Sequence, residues 1–532
     1  MGKRLIRFFN TTGPCNPEDH YMLPPEERLV GAQLHRYIRD ELYWVLHAPR
    51  QTGKTTFLQS WMREINSGRF NGDDALACYV TVERCQGVDT PEKAMPAICK
   101  AIQEYAESAG LPVPELKTAE SNSMLSDILR AWAALTAPKA LIVLFDEVDV
   151  LQGDALISFL RQLRGGFADR DVGKFPISIA LVGMRDLKDY ITAAKGGIPV
   201  NPGSPFNVKA DSAVLSNFQK ADVTRLFAQR TEERGQRITE EALDYVYEQS
   251  RGQPWIVNSL FQRATMRVLD EESSETVTVE HIKEARQQMI LARETHLDAL
   301  AYRLEDPKIR SVMETLITGA ADPLLADGEA FRVCLDLGLV AIERGTPVVA
   351  NPMYREVIAR HLTYSPQLAI PQPDWQWENP DGSLDMDSLL REFQKFWRRN
   401  SEIWEEKMHY TEAFPHLLLM AFLQRVLNGG GNIEREYAAG RGRLDLAVEY
   451  HDRWYIIEIK LVYSYDTPEA VRKEGLEQIR RYRDLIDPAA AAYLVIFDRR
   501  TPPRGGSPPP DKPGWAERLT WTVDGDVTVV GC

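Results

Sequence analysis

The sequence predicts an α/β protein in two parts: a doubly wound parallel sheet followed by helical blocks, then a second, smaller α/β domain. Three observations carry that expectation. Apolar runs of strand length at residues 43–46 (YWVL), 77–82 (ACYVTV), 140–146 (ALIVLFD) and 175–183 (FPISIALVG) alternate with helical stretches, as βαβ units do. From 209 to 266 the chain reads as a helical block. Past a stretch rich in Pro, Asn and Asp at 364–383, strands return as LDLAV and YIIEIKL.

In chain order, RFFNTTGPCNPEDHYMLPPEERL comes first, and its Gly, Pro and Asn content argues for an ordered loop. Residues 43–56, YWVLHAPRQTGKTT, carry the first chemistry. A strand-like run is broken at 47–52, and Gly53, Lys54, Thr55 and Thr56 open a helical stretch. Strand, tight loop and helix N-terminus together aim backbone N–H groups at an anion, the geometry that holds a nucleotide phosphate tail. Lys54 is expected to reach the β- and γ-phosphates of ATP and the Thr55 hydroxyl to ligate Mg²⁺. Pro49, Arg50, Gln51, Thr52, Gly53 and Thr56 complete the cradle. Ala48 stands where the usual pattern has its first glycine. The second half of the site is 140–149, ALIVLFDEVD, a buried-strand run ending in two acids. Asp146 is expected to hold Mg²⁺ through water, and Glu147 to polarise the attacking water. The two halves identify a P-loop ATPase. In such proteins a segment just upstream often covers the adenine, which makes His20, Tyr21 and Arg28 candidates.

Arg185 follows the 175–183 strand, where these ATPases carry a polar sensor of the γ-phosphate. Gly252-Gln253-Pro254 breaks two amphipathic helices and resembles the GxP of the lid in AAA+ and STAND ATPases, which implies Pro254 near the nucleotide. From 277 to 362, helices lead into LVAIERGTPVVAN, two β-rich runs joined at Arg344-Gly345, and then MYREVIARHL. That is the order of a winged helix, read here as a packing arm of the ATPase. The expected division is an ATPase core with its adenine-side segment at 1–208, a helical lid at 209–275, a winged-helix domain at 276–364, a linker at 365–383 and a catalytic domain at 384–532. A low-complexity loop, RTPPRGGSPPPDKPG, occupies 500–514.

The second chemistry lies in GRGRLDLAVEYHDRWYIIEIKLVY. Leu444, Leu446 and Val448 alternate with Asp445 and Ala447, a half-buried strand with an acid on its polar face. In YIIEIKL, Glu458 and Lys460 are two residues apart and project from the same side. Placing them mid-strand costs several kcal/mol unless they are paired or hold a metal. A hairpin through His451-Asp452 brings Asp445 beside Glu458, and two carboxylates with a lysine can fix Mg²⁺ and orient a water at a phosphodiester. The arrangement resembles the PD-(D/E)XK nuclease superfamily, with Asp445, Glu458 and Lys460 standing for D…ExK and Leu444 replacing the usual proline. The resemblance implies a further metal-site acid at Glu412, and a QxxxY pair at Gln478 and Tyr482 as in the RecB-like branch. Mn²⁺ is an alternative metal there.

HAPRQTGKTT, GPCNPEDHYMLPP and GRGRLDL…IIEIK together resemble prokaryotic AAA-like ATPases fused to a C-terminal PD-(D/E)XK domain. That resemblance implies an ATP-controlled, metal-dependent nuclease acting on DNA ahead of RNA, in defence or mobile-element maintenance. Arg435, Arg441, Arg443, Arg480, Arg481 and Arg483 crowd the motifs and are candidates for phosphate contacts. Two rivals stay open: a STAND-type nucleotide switch with the C-terminal domain as effector, and a nuclease fold that grips nucleic acid without cutting. With 532 residues there is room for three or four domains, and a net charge of −14 argues against a polycation coat while leaving local nucleic-acid sites open. The six cysteines form no CxxC, which gives no zinc signature and suits a reducing cytosol. No apolar run is long enough to span a bilayer, so a cytoplasmic protein without a membrane partner, and a homo-oligomer, are expected.

Overall fold

The computed structural model describes residues 7–30, 33–68, 74–116, 120–170, 174–184, 209–271, 273–292, 297, 300, 302–318, 328–369, 377–407, 414–427, 431–439, 442–451, 453–462, 466–498 and 520–532. The chain divides into two compact units, one of Met1–Glu294 with Val333–Ala341 and Ala350–Met353, the other of Thr295–Arg332, Ile342–Val349 and Tyr354–Cys532.

The first unit is built on strands Leu29–Val30 (β1), Tyr43–His47 (β2), Ala75–Thr81 (β3), Ala140–Asp146 (β4), Ser178–Gly183 (β5) and Lys209–Leu215 (β6). Between them run helices Leu34–Arg39 (α1), Lys54–Asn66 (α2), Pro91–Ser108 (α3), Met124–Thr136 (α4) and Gly153–Asp169 (α5). The sheet order is β1-β6-β2-β5-β4-β3, parallel throughout except for β1 at the edge. Because side chains alternate along a strand, each run feeds two cores. Tyr43, Val45, Val143, Phe145 and Leu181 pack with Ile98, Ile128 and Phe159 of α3, α4 and α5. Trp44, Leu46, Ile142, Leu144 and Val182 pack with Tyr37, Phe57 and Trp61 of α1 and α2. Helices on both faces leave no polar side to the sheet, which is why these runs read as continuously apolar.

β6 corrects the expectation of an unbroken helical block from 209. Its sequence, KADSAVL, carries Lys, Asp and Ser. Ala213 and Leu215 are buried while Val214 between them is exposed, so the strand is apolar on one face only and has no strong period to read. The helical block then forms as Lys220–Arg234 (α6), Glu240–Ser250 (α7), Pro254–Arg263 (α8) and Val279–Leu291 (α9). The α7–α8 break is fixed by Gly252 at φ +73°, where a Cβ would lie 1.9 Å from the Phe218 carbonyl oxygen. Only glycine fits that close approach. Pro254 takes the first position of α8, where a missing N–H costs nothing, and the Gln253 side chain caps the helix by accepting from the Ile256 N–H.

Downstream come Pro307–Thr318 (α10), Glu329–Asp336 (α11), the paired strands Val340–Glu343 (β7) and Thr346–Val349 (β8), and Pro352–Ala369 (α12). Helices, hairpin and helix follow in the order read from the sequence; a winged-helix domain here is a proposal. The linker at 365–383 is a proposal; both ends of that stretch take defined structure. Helix α12 runs through Ala369, and residues 377–383 form a turn in which Asn379 Nδ2 donates to Ser383 Oγ at 2.9 Å. That turn is tied to the following sheet, with Arg453 on Asp381 and Tyr450 donating to Glu378. Residues 370–376, the rest of the expected linker, lie outside the described residues, as does the 500–514 loop.

The second unit holds helices Met386–Lys407 (α13) and Phe414–Leu427 (α14), strands Gly431–Ala439 (β9), Gly442–Tyr450 (β10) and Arg453–Val462 (β11), helix Pro468–Ile486 (α15), and strands Ala491–Asp498 (β12), Trp521–Asp524 (β13) and Val527–Gly531 (β14). The sheet order is β13-β14-β12-β11-β10-β9, with β9, β10 and β11 antiparallel and β11, β12 and β14 parallel. Helix α15 is the crossover that makes β11 and β12 parallel, and its Leu476, Ile479 and Tyr482 pack on Ala447, Ile456 and Leu494. Gly475 lets it come close, since a Cβ there would meet Leu494 Cδ1 at 2.6 Å and Lys460 Cγ at 3.2 Å. On the other face, Phe393 and Trp397 of α13 pack edge-on against Phe497. Among the described residues, no helix is long and apolar enough to cross a membrane.

Candidate functional site

The chain carries two candidate sites, one in each unit. The first is the turn from β2 into α2. The Lys54 ammonium is folded back onto the loop, donating to the Ala48 and Pro49 carbonyls at 2.8 and 3.0 Å. Burial pulls its pKa down, and the nearby Glu147, Asp146 and Asp149 carboxylates oppose that pull. Thr55 Oγ1 donates to Asp146 Oδ2 at 2.7 Å, and the Tyr79 hydroxyl donates to the same oxygen at 3.1 Å. The Glu147 N–H serves Asp146 Oδ1. Asp146 is fully buried, so desolvation raises its pKa even against these three donors. Glu147, in the left-handed region at φ 57°, is raised by burial first and then by Asp149 and Asp146. A carboxyl raised toward neutrality is the kind that accepts a proton from water.

A cavity of about 360 Å³ opens above this turn. Its floor is Arg50, Gln51, Thr52, Gly53, Lys54, Thr55 and Thr56, with Glu147 alongside; Pro49 does not line it, its carbonyl accepting from Lys54. Its walls are the N-terminal segment, including Tyr21, and the start of α8, including Pro254. The walls are held to the floor by specific bonds. Gln253 Nε2 donates to the Gln51 carbonyl at 3.4 Å, and the Cys15 N–H donates to Thr56 Oγ1 at 2.9 Å. Arg28 is nine-tenths buried, stacked on Phe218, and donates to the Thr52 and Ser216 carbonyls, so it straps loop to sheet edge; desolvation lowers its pKa to about 10. Tyr21 lies between Phe9 and the Arg7 guanidinium. His20 instead stacks edge-on with Phe8 and accepts from the Asn16 N–H. Arg185 lies outside the described residues. Sequence reasoning missed Tyr79, Cys15, Trp255 and Asn258: Cys15 lies in the quoted lead-in and Trp255 and Asn258 follow Pro254, but nothing local marks them, while Tyr79 reaches Asp146 from a distant strand.

The second site sits on β10 and β11. Their register pairs Leu446 with Ile457, so Asp445 and Glu458 stand opposite one another one step further on. Asp445 Oδ2 accepts from the Ile459 N–H at 2.7 Å. Lys460 Nζ lies 3.4 Å from Glu458 Oε1 and 3.3 Å from Glu474 Oε1 on α15, and Gln478 Nε2 donates to that same Glu474 oxygen. Desolvation pushes both acids well above the carboxylate range; for Glu458 the Asp445 charge adds to it. Burial works against the Lys460 ammonium, yet Glu458, Glu474 and Asp445 outweigh it and hold its pKa above the ordinary value. Glu458 is 4% exposed, and its Oε2 has no hydrogen-bond partner. An orphaned carboxylate oxygen beside a second acid is a hard-oxygen donor set that suits Mg²⁺ or Mn²⁺. Among the described residues there is no group of three or more His, Cys, Asp or Glu side chains placed to hold a metal ion, and Glu412, the expected third acid, lies outside them.

Gln478 reaches the site through Glu474, whereas Tyr482 is buried in the core under α15 with Arg481 over its ring. Two residues were missed by the sequence reading: Glu474, one turn before Gln478, and His416 on α14. The latter is pushed down to about 4 by burial, with the Lys460 charge adding. The arginine cluster is corrected in part. Arg480 and Arg483, with Arg472, pair with Asp524 and Asp526 at the β13–β14 turn instead of standing open to phosphates. The chain separation of these partners, across the 500–514 loop, hid the pairing. Arg441 and the side chains of Arg435 and Arg443 lie outside what is described.

Comparison with known proteins places both halves. Residues 38–191 match the AAA domain family, and residues 410–491 match the PD-(D/E)XK nuclease superfamily. No curated protein matches the chain. Among solved structures it is similar to a Walker-type ATPase of Pyrococcus abyssi, at 16% identity and a TM-score of 0.47 over 66% of this chain and 99% of that one. It is also similar to Cdc6p from Pyrobaculum aerophilum, at 15% identity and a TM-score of 0.34 over 62% and 91%. The RuvB Holliday junction branch migration motor of Thermotoga maritima aligns at 13% identity and a TM-score of 0.33 over 64% and 91%. The chain joins an AAA P-loop ATPase domain to a C-terminal domain of the PD-(D/E)XK nuclease superfamily.

Proposed function

We propose that this protein binds and hydrolyses ATP and is a divalent-metal-dependent nuclease that cuts phosphodiester bonds, in DNA ahead of RNA, with the ATPase part regulating the cut. Cytoplasmic homo-oligomers acting in prokaryotic defence or mobile-element maintenance fit that reading. The observation that carries it is the pairing of the buried Glu458 with the half-buried Asp445 beside Lys460, with Glu458 Oε2 left without a partner among the described residues. A purely structural pair would spend its oxygens on hydrogen bonds, since a buried unpaired one costs about 1–3 kcal/mol.

Asp445, Glu458 and, by the family resemblance, Glu412 would hold the metal, which supplies positive charge at the scissile phosphate and a more acidic bound water. Lys460, steered by Glu458 and Glu474, offers its ammonium to the charge that develops on the phosphate oxygens. In the ATPase site Lys54 exchanges two loop carbonyls for the β- and γ-phosphates. Thr55 and Asp146, already bonded to each other, would hold the Mg²⁺ that accompanies the phosphates. Glu147 receives the proton of the attacking water.

The test is direct: the full chain is incubated with single- and double-stranded DNA and RNA, with Mg²⁺ or Mn²⁺, with and without ATP. Metal-dependent scission of DNA that changes with ATP is expected. Binding without scission under every metal condition would leave the non-cutting reading instead.

A further inference from the structure

We infer that Asn258 is the residue that selects adenine, its Oδ1 accepting a hydrogen bond from the 6-amino group of the base. This rests on the ATP-binding reading of the cavity above α2. Helix α8 starts at the phosphate loop, where Gln253 meets the Gln51 carbonyl, and a rise of about 1.5 Å per residue carries Asn258 a full turn beyond Pro254. There it lines the same cavity, 7% exposed.

Its amide orientation is fixed by its own helix. Nδ2 donates to the Pro254 carbonyl at 2.8 Å, so the other amide atom is the oxygen, and that oxygen is buried with no partner among the described residues. Two polar side chains of the N-terminal segment that line the same cavity are spent. Asn10 donates to the Gly13 carbonyl and accepts from the Thr12 N–H, and Thr11 Oγ1 donates to Gln262. The same cavity is lined by the apolar Met22, Leu23, Leu226 and Trp255, and also by Cys15, Arg28 and Glu83. A partly apolar cavity with one unfilled acceptor suits a purine that presents a donor on its edge. A buried acceptor is satisfied by such a base and left orphaned by one that lacks the donor, and that difference is the basis of selection.

The experiment measures equilibrium binding of ATP and of purine riboside 5′-triphosphate, which lacks only the 6-amino group, to the full-length protein and to Asn258→Leu. Wild type is expected to bind ATP about tenfold more tightly than the deaminated analogue. In the near-isosteric Asn258→Leu the two nucleotides should bind within about twofold of each other, ATP having weakened to the level of the analogue. Equal binding of both nucleotides to wild type overturns the inference without any variant, as does a preference that survives in a folded Asn258→Leu. Binding of neither nucleotide to wild type would instead remove the ATP-binding reading beneath it.

Discussion

At the residue scale, both sites rest on carboxylates that the fold holds out of water, and the direction in which burial moves their proton affinity makes a prediction. Glu458 is raised by burial and by Asp445, so the folded state binds its proton more tightly than the unfolded chain does. Stability from this group is therefore lost as pH rises, from the ordinary glutamate range of about 4 up through the raised value of about 8. Every tenfold by which the fold tightens its hold on that proton weakens the metal-free protein by about 1.4 kcal/mol above that window. Glu458→Gln carries no titrating proton. It should melt higher than wild type at pH 8 in chelator and lose that advantage at pH 5; melts at the two pH values check this, and a pH-independent difference would contradict it. In the other site, Lys54→Ala should abolish ATP binding. Glu147→Gln should retain binding and lose hydrolysis by a hundredfold or more, since a glutamine cannot take the proton of water. Steady-state turnover beside a binding isotherm separates the two.

At the scale of elements, close approach of α15 to β11 positions Lys460 between its two acids, and Gly475 permits that approach. Gly475→Leu should push the helix from Leu494 and cost about 1–3 kcal/mol, read as a lowered melting temperature. How much could be read in advance follows from the same physics. The strands β2, β4 and β5 are buried on both faces and announced themselves as apolar runs. Glu458 and Lys460 were legible because charges inside such a run need a reason. By contrast, β6 is apolar on one face only, and the β13–β14 hairpin comes after a low-complexity loop that carries no pattern. Contacts between distant segments were not legible at all. Arg28 on Thr52, Cys15 on Thr56, Tyr79 on Asp146 and Arg480 on Asp524 are set by tertiary packing, which local periodicity does not encode.

At the scale of the whole molecule, one polypeptide carries an ATPase centre and a nuclease-superfamily centre in separate compact units. If the 365–383 linker is real, limited proteolysis should cut within it and leave a C-terminal fragment, from about Leu384 onward, that melts cooperatively. The central claim is that Asp445, Glu458 and Lys460 form a working metal-dependent centre and are more than a structural ion-pair cluster. The measurement that tests it most directly is metal-dependent DNA scission by wild type, Asp445→Asn, Glu458→Gln and Lys460→Ala, each with its melting curve. A working centre requires folded variants in which both acid substitutions lose scission and weaken metal binding, while Lys460→Ala keeps metal and slows by a hundredfold or more, a transition-state loss of about 2.7–4 kcal/mol. A structural cluster predicts the reverse: Lys460→Ala would leave a buried unpaired carboxylate and destabilise the fold by about 3–5 kcal/mol. That loss of stability, with metal affinity unchanged across the series, would show a structural cluster instead of a metal-dependent centre.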